Sequence, residues 1–270
     1  QSWASSTDTG DRSELSLPDS FGAWRELSAN AETCLGARCP HYEDCFVTKM
    51  RQDAQASDIV IVNHHLFFAD LAVRREDMAQ ILPDYTAVIF DEAHDIEDIA
   101  GQYFGFQVST YRILELRRDI AALSRTRKFG SEELDRILIR LEEVAVAFFN
   151  LLPGGDGRAS FGGRQEFLGG NAELYIDMMA AFDLLMSYLK LIQDAPTEVI
   201  PLFRRANELR DSLRFLMEGD DPSFVHWIDR RGRNGVFLQA TPIDVAHLLR
   251  EQLWEIAGVR TLTLDRVAAW

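Results

Sequence analysis

The sequence predicts an α/β fold interrupted by a mainly helical block. Three observations carry that expectation. Short β-branched runs stand at 59–62 and 86–90, amphipathic segments fill the stretch from about 105 to 225, and a strand-like run returns at 235–242. Continuous short apolar runs suit strands buried on both faces, as in parallel sheets. A helical block lying between such strands predicts an insertion into an α/β domain rather than separate beads on a string.

Each element follows in order. Residues 1–20 are rich in Ser, Asp and Thr and predict a loosely structured start. "DCFVTKMRQDAQASD" predicts a helix after a cysteine cluster. "IVIV" at 59–62 and "TAVIF" at 86–90 predict strands, the second entered through a turn at Pro83 and Asp84. "TYRILELRRDIAALSR", "SEELDRILIRLEEVAVAFFNLL" and "NAELYIDMMAAFDLLMSYLKLI" repeat apolar residues at helical spacing. Ser131 followed by Glu132 and Glu133 marks a helix start with acids in its first turn. "PGGDGRASFGGRQEFLGGN" reads as a glycine-rich loop. "GVFLQATP" predicts a strand, and "IDVAHLLREQLWE" a helix after it.

The totals narrow the function. A length of 270 residues fits about two domains. The formal net charge of −15 argues against a nonspecific nucleic-acid coat protein, while leaving room for a local basic groove. No apolar run reaches the ~18 residues of a membrane span, and the polar first residues carry no secretory signal. Residue 1 is Gln, so the visible start is not expected to be the natural one. The expected setting is a reducing one, the cytoplasm, because the three cysteines do not form a disulfide framework.

The stretch "VIFDEAHDIED", 88–98, delivers two carboxylates and a histidine to a strand end. Strands of open α/β sheets present ligand-binding groups at their carboxyl ends. In a nucleotide hydrolase an acid there holds the magnesium that bridges the phosphates, which makes Asp91 the candidate metal ligand. Glu92 is the candidate for orienting and deprotonating the attacking water, and His94 for coupling the site to other elements. The plainer alternative is a strand meeting an acidic helix start. Four residues, Asp-Glu-Ala-His, after a four-residue apolar run favour the nucleotide site. No G-x-x-x-x-G-K-[ST] match accompanies them, so the phosphate cradle is not in this sequence.

Cys34, Cys39 and Cys45 are separated by four and five residues. That spacing differs from the two-residue gap of many zinc fingers, but thiolates bind zinc or iron–sulfur clusters alike. Clustering of all the cysteines favours metal or cluster binding over free thiols. A fourth ligand would come from upstream or from a histidine such as His41. Elsewhere, eight cations between Arg112 and Arg140 are interleaved with five acids, which favours a solvated helix face over a nucleic-acid groove. His64 and His65 are candidates to touch nucleic acid or line a domain interface, and Phe67 and Phe68 are expected in a core. Arg230, Arg231 and Arg233 read as a basic turn.

Taken together, the C-x4-C-x5-C run, "VIVNHHLFFADL" at 60–71, the DEAH box and "GVFLQATPIDVAHLLREQLWE" at 235–255 resemble the iron–sulfur superfamily 2 DNA helicases of the DinG and XPD family, closest to bacterial DinG-type proteins. The resemblance spans most of the chain. It implies a partial RecA-like P-loop motor domain with an inserted, mainly α-helical Arch-like domain. The implied division is residues 1–57 for the end of an iron–sulfur domain, 58–104 for motor domain 1, 105–225 for the insertion and 226–270 for a truncated return to the motor. It implies that Cys34, Cys39 and Cys45 are three of four ligands to a [4Fe–4S] cluster, that Asp91 and Glu92 are Walker B acids, and that Asn63 and His64 match a family motif. The implied activity is ATP- and Mg2+-dependent 5′-to-3′ translocation on single-stranded DNA with unwinding of duplex, by a monomer with no membrane association. Walker A and a second motor domain are not in this sequence, so the chain is expected to be inactive alone. The tail "VRTLTLDRVAAW" departs from the family pattern and reads as a truncation or frame-shift product. The rival from another class is a noncatalytic, metal-containing nucleic-acid-binding module with a relic DEAH box. A second is a DinG-like nuclease with an exonuclease domain upstream.

Overall fold

The computed structural model describes Trp3 and residues 6–15, 17–18, 21, 34–75, 80–232, 235–254 and 260–263. The chain divides into two compact units, 1–85 and 86–270. No helix among the described residues is long and apolar enough to cross a membrane.

In the first unit, α1 (Phe46–Gln55) follows the cysteine segment, and α2 (His64–Arg75) follows an extended stretch. Phe67, Phe68 and Leu71 of α2 are buried, as expected of core residues. Asp70 lies among them with no exposed surface. Its carboxylate accepts from Ile81 N at 2.7 Å, Leu82 N at 2.9 Å and Arg74 Nε at 2.6 Å. Arg74 donates in turn to Leu82 O at 2.6 Å. A buried carboxylate is tolerable only when so supplied with donors, and this one fastens α2 to residues 80–85. The run 59–62, expected as a buried strand, is not one. It is extended without ladder hydrogen bonds, and Ile59 and Ile61 are 82% and 94% exposed. β-Branched residues favour extended backbone, but a strand also needs a neighbour, and none of the described residues supplies one.

The second unit opens with β1 (Ala87–Phe90), a short turn and α3 (Ile96–Tyr103). β2 (Phe106–Ser109) leads into α4 (Thr110–Arg127) and α5 (Glu132–Leu151). After them come β3 (Gly157–Ser160), α6 (Arg164–Gly170), α7 (Ala172–Leu191) and α8 (Val199–Glu218). β4 (Phe224–Arg231) and β5 (Gly235–Pro242) form a hairpin. The short α9 (Val245–Leu249) continues as a π-helical turn to Trp254, and β6 (Arg260–Thr263) follows.

The helices start where the side chains dictate. Ser109 Oγ accepts from Arg112 N at 3.3 Å, and Ser131 Oγ from Leu134 N at 3.1 Å. Leu134, Leu138, Leu141, Ala145 and Phe148 form one buried face of α5. Leu202, Ala206, Leu209, Leu213 and Leu216 do the same for α8. These faces meet α7 and the inner side of a four-stranded antiparallel sheet, order β2-β5-β4-β3, in one core that includes Val108, Ile228, Val236, Leu238 and Ala240.

Three expectations change here. The strand at 235–242 is antiparallel and belongs with the helices, so a single core runs across 225/226. The stretch 153–171, expected as a loop, contains β3 and α6. Arg164 anchors it: the guanidinium meets both ring nitrogens of His226 at 2.7 and 2.6 Å and donates to Gly219 O. Burial, and then the Arg164 charge, push the His226 pKa down to about 4. Lastly, β1 pairs in parallel with β6, Ala87 opposite Arg260 and Phe90 opposite Thr263. β6 is its only partner among the described residues, and Ile89 is 60% exposed rather than buried.

β2 and β5 bring the two ends of the helical unit together, Phe106 opposite Ala240. Gly105 stands at that junction. A Cβ there would lie 2.7 Å from Ala240 O and 2.9 Å from Gly101 O, both backbone atoms that cannot swing aside. Gly105→Ala is therefore expected to destabilise the second unit by about 1–3 kcal/mol, in line with other overpacking substitutions, read as a lowered thermal midpoint. An unchanged midpoint would mean that the junction is loose.

Candidate functional site

The acidic turn is built by the end of β1. Phe90 is buried, and the chain then leaves the strand at Asp91. Asp91 Oδ1 accepts from Glu92 N at 3.1 Å. Glu92 adopts φ 48° and ψ 51°, the left-handed region, and a single 3-10 turn, Ala93–Asp95, joins it to α3. A non-glycine residue there costs of order 1–2 kcal/mol and is found disproportionately at functional sites. The twist turns Asp91 and Glu92 away from the helix path, and both stay exposed. His94 lies between two carboxylates, Nδ1 3.3 Å from Glu92 Oε2 and Nε2 3.5 Å from Asp95 Oδ1. Asp91, Glu92 and His94 thus share one exposed turn, and carboxylates so exposed can reach a hydrated cation at little desolvation cost.

Residues 26–113 match the DEAD_2 family. Over 266 residues the chain is 33% identical to the ATP-dependent DNA helicase YoaA of Escherichia coli K12, covering 96% of this chain and 40% of that protein. The Haemophilus influenzae protein of the same name is 32% identical over 93% of this chain and 39% of its own length. The chain carries a DEAD_2 domain of the DinG/XPD helicase type. A protein named 3′-5′ exonuclease DinG, from Bacillus subtilis, is 30% identical over 55% of this chain and 15% of that protein. The chain spans about two fifths of the length of the two YoaA proteins it matches.

The DEAD_2 segment contains the cysteines, Asn63 and the DEAH turn. Cys34 is exposed, and Cys39 and Cys45 are half-buried. Among the described residues no group of three His, Cys, Asp or Glu side chains stands in a metal-holding arrangement, so the three sulfurs are not gathered around one point. The donors around them nevertheless suit thiolates. Cys34 Sγ accepts from Gly36 N at 3.4 Å. Cys45 stands at the N-cap position of α1 without a side-chain cap hydrogen bond, and the nearby Thr48 N–H at that helix start holds its thiol below the usual range against burial, which pushes the other way. In kind, these residues fit a metal or cluster.

Asn63, a candidate nucleic-acid contact, caps α2: its Oδ1 accepts from Leu66 N at 2.7 Å. His64 is half-buried and His65 exposed in the first turn of that helix. The cations between Arg112 and Arg140 serve the helices. Arg117 pairs with Glu142 at 3.0 Å, Arg127 with Glu198 and Arg140 with Asp177, which accords with the solvated-face reading. Sequence alone missed the buried charges: Asp70, the Arg164–His226 contact, and Arg205, 3% exposed and bound to Asp119 at 2.6 Å and Glu115 at 3.3 Å. Asp70 pairs locally with Arg74 but is otherwise held by backbone N–H groups, and the partners of Arg164 and Arg205 among these are 62 to 90 residues away, beyond any local pattern.

The lowered thiol pKa has a direct consequence. In the metal-free chain, Cys45 should react with iodoacetamide at a pH below that of an ordinary thiol, since more thiolate is present there. Thr48→Pro removes the donating N–H at a helix position that tolerates proline, and should move the midpoint of the rate profile upward. Identical profiles would show that the N–H does not act on the sulfur.

Proposed function

We propose that the chain is the DEAD_2 part of an ATP-dependent DNA helicase that moves 5′ to 3′ on single-stranded DNA. The observation that carries this is the strand-end turn of a DEAD_2 segment, which offers Asp91 and Glu92 side by side. Asp91 is the residue that would hold the magnesium ion. Bound there, the ion supplies charge neutralisation at the nucleotide phosphates. Glu92 orients the attacking water and accepts its proton at the carboxylate. His94, between Glu92 and Asp95, fixes the Glu92 carboxylate and passes changes at the site to α3.

The finer assignments belong to the same proposal. Cys34, Cys39 and Cys45 would supply three of the four ligands to a [4Fe–4S] cluster, the fourth coming from elsewhere. Asn63, His64 and His65 contact DNA. The first unit and the DEAH strand belong to the cluster domain and motor domain 1, and the helical unit is an Arch-like insertion. The protein works as a cytoplasmic monomer. The phosphate cradle comes from outside these 270 residues, because none of the three lysines in them, Lys49, Lys128 and Lys190, lies in a P-loop pattern.

Two assays test this together. In the full-length gene product, Glu92→Gln is expected to lower the ATP turnover number about 100-fold or more while nucleotide binding persists, as for loss of a general base. The 270-residue chain alone is expected to show no magnesium-dependent ATP hydrolysis. Unchanged turnover in the variant, or hydrolysis by the isolated chain, would overturn the assignment.

A further inference from the structure

The antiparallel sheet has two faces, and the helices cover one of them. Alternation along β4 sends His226 and Ile228 toward the helices and Trp227, Asp229 and Arg231 to the other side. The ladder sets Trp227 beside Gln239, and Asp229 beside Phe237 and Arg158. Trp227 and Phe237 are thus diagonal neighbours on adjacent strands, roughly 7–8 Å apart.

Each ring carries a cation. The Arg158 guanidinium lies 4.3 Å from the centre of the Trp227 ring, and that of Arg231 lies 4.8 Å from the Phe237 ring. Tyr111, 47% exposed, adds a third ring 6.0 Å from Phe237. One acid offsets these charges: Asp229 accepts from Arg231 at 2.7 Å. In a chain of net charge −15, this face therefore carries one excess positive charge among its five named side chains Trp227, Phe237, Arg158, Arg231 and Asp229.

Cross-strand stacking of Arg on an aromatic ring also steadies a hairpin. That role leaves one thing unexplained. The Trp227 indole N–H is buried and has no hydrogen-bond acceptor among the described residues. Buried indole N–H groups usually find one.

A ligand that suits this face needs flat π-systems for the rings, negative charge for the guanidiniums and an acceptor for the indole. Single-stranded nucleic acid has all three in its bases, its phosphates and its carbonyl oxygens. We propose that the outer face of the β2-β5-β4-β3 sheet is a stacking platform for single-stranded nucleic acid. Bases lie on Trp227 and Phe237, Arg158 and Arg231 turn from the rings to phosphates, and the Trp227 N–H gains its acceptor. The proposal rests on the helicase reading only for the class of ligand. The surface shares no residue with the DEAH turn or with the candidate contacts Asn63, His64 and His65.

The test is fluorescence anisotropy of a labelled oligothymidylate of about 15 nucleotides with the 270-residue chain and no nucleotide present. The double variant Arg158→Gln, Arg231→Gln removes two exposed cations that also stack on the rings and pair Asp229, so its melting midpoint is expected to fall somewhat, and binding is compared at a temperature where both proteins are folded. It should weaken binding about tenfold or more, and should flatten the dependence of log affinity on log salt by about 1.4, the value for two lost phosphate contacts on a single strand. Trp227→Ala should weaken binding about tenfold, and Trp227→Phe, which keeps a ring, by less. Wild-type affinity in the folded double variant would overturn the proposal. So would equal affinity for a duplex of the same length, self-association of the chain without oligonucleotide binding, or no binding at all. The measurement involves neither ATP nor Asp91 and Glu92, so its failure and that of the nucleotide-site assignment are distinguishable.

Discussion

The pairing of β2 with β5 is the constraint on which the rest of the second unit depends. The chain leaves the acidic turn through α3, travels through about 130 residues of helix and hairpin, and must return beside its exit. Phe106 opposite Ala240 and Ser109 opposite Phe237 close that loop. Closing a long loop costs entropy that grows only slowly with length, so four strand residues reinforced by a large core suffice. Gly105 lets the two backbones approach at the junction. Only because the return is so placed can Arg260–Thr263 lie parallel to Ala87–Phe90. The strand that carries Asp91 and Glu92 therefore owes its ladder to a segment about 170 residues later.

That dependence has a functional side. The DEAH turn is locally strained, with Glu92 in the left-handed region, and its side chains are exposed rather than held by a buried network. The turn takes its rigidity from the strand before it and the helix after it. The helical unit, by contrast, is densely packed, with interhelical ion pairs over an apolar core.

Much of this was legible in the sequence wherever the signal was local. The helices at 46–55, 110–127, 132–151 and 172–191 follow from apolar spacing, and Ser131 marks a start that its cap hydrogen bond explains. The DEAH strand end was readable because its apolar run and its acids are contiguous. Distant pairing was not. "IVIV" has the composition of a strand, yet it has no ladder among the described residues. "GRAS" has none of that composition, yet it pairs with β4 because Trp227 and Ile228 stand opposite it. "GVFLQATP" was a strand on inspection, but its antiparallel partners lie about 130 residues before it and directly ahead of it. The stretch 260–263, expected as part of a truncated or frame-shifted tail, supplies the partner of β1. The site divided in the same way. Asp91, Glu92 and His94 are neighbours in sequence and so share one turn, whereas the cysteines need further groups around them to gather, and the local hydrogen bond from Gly36 N to Cys34 does not achieve that.

The most direct test of this account is amide hydrogen exchange across the DEAH strand, comparing the chain with a version ending at Trp254. The account predicts that removing β6 strips protection from Val88–Phe90 and leaves Phe106–Ser109 and Val236–Ala240 protected as before, since β2 and β5 hold each other. Undiminished protection at Val88–Phe90 would contradict it, because the acidic turn would then stand on a support other than the returning strand.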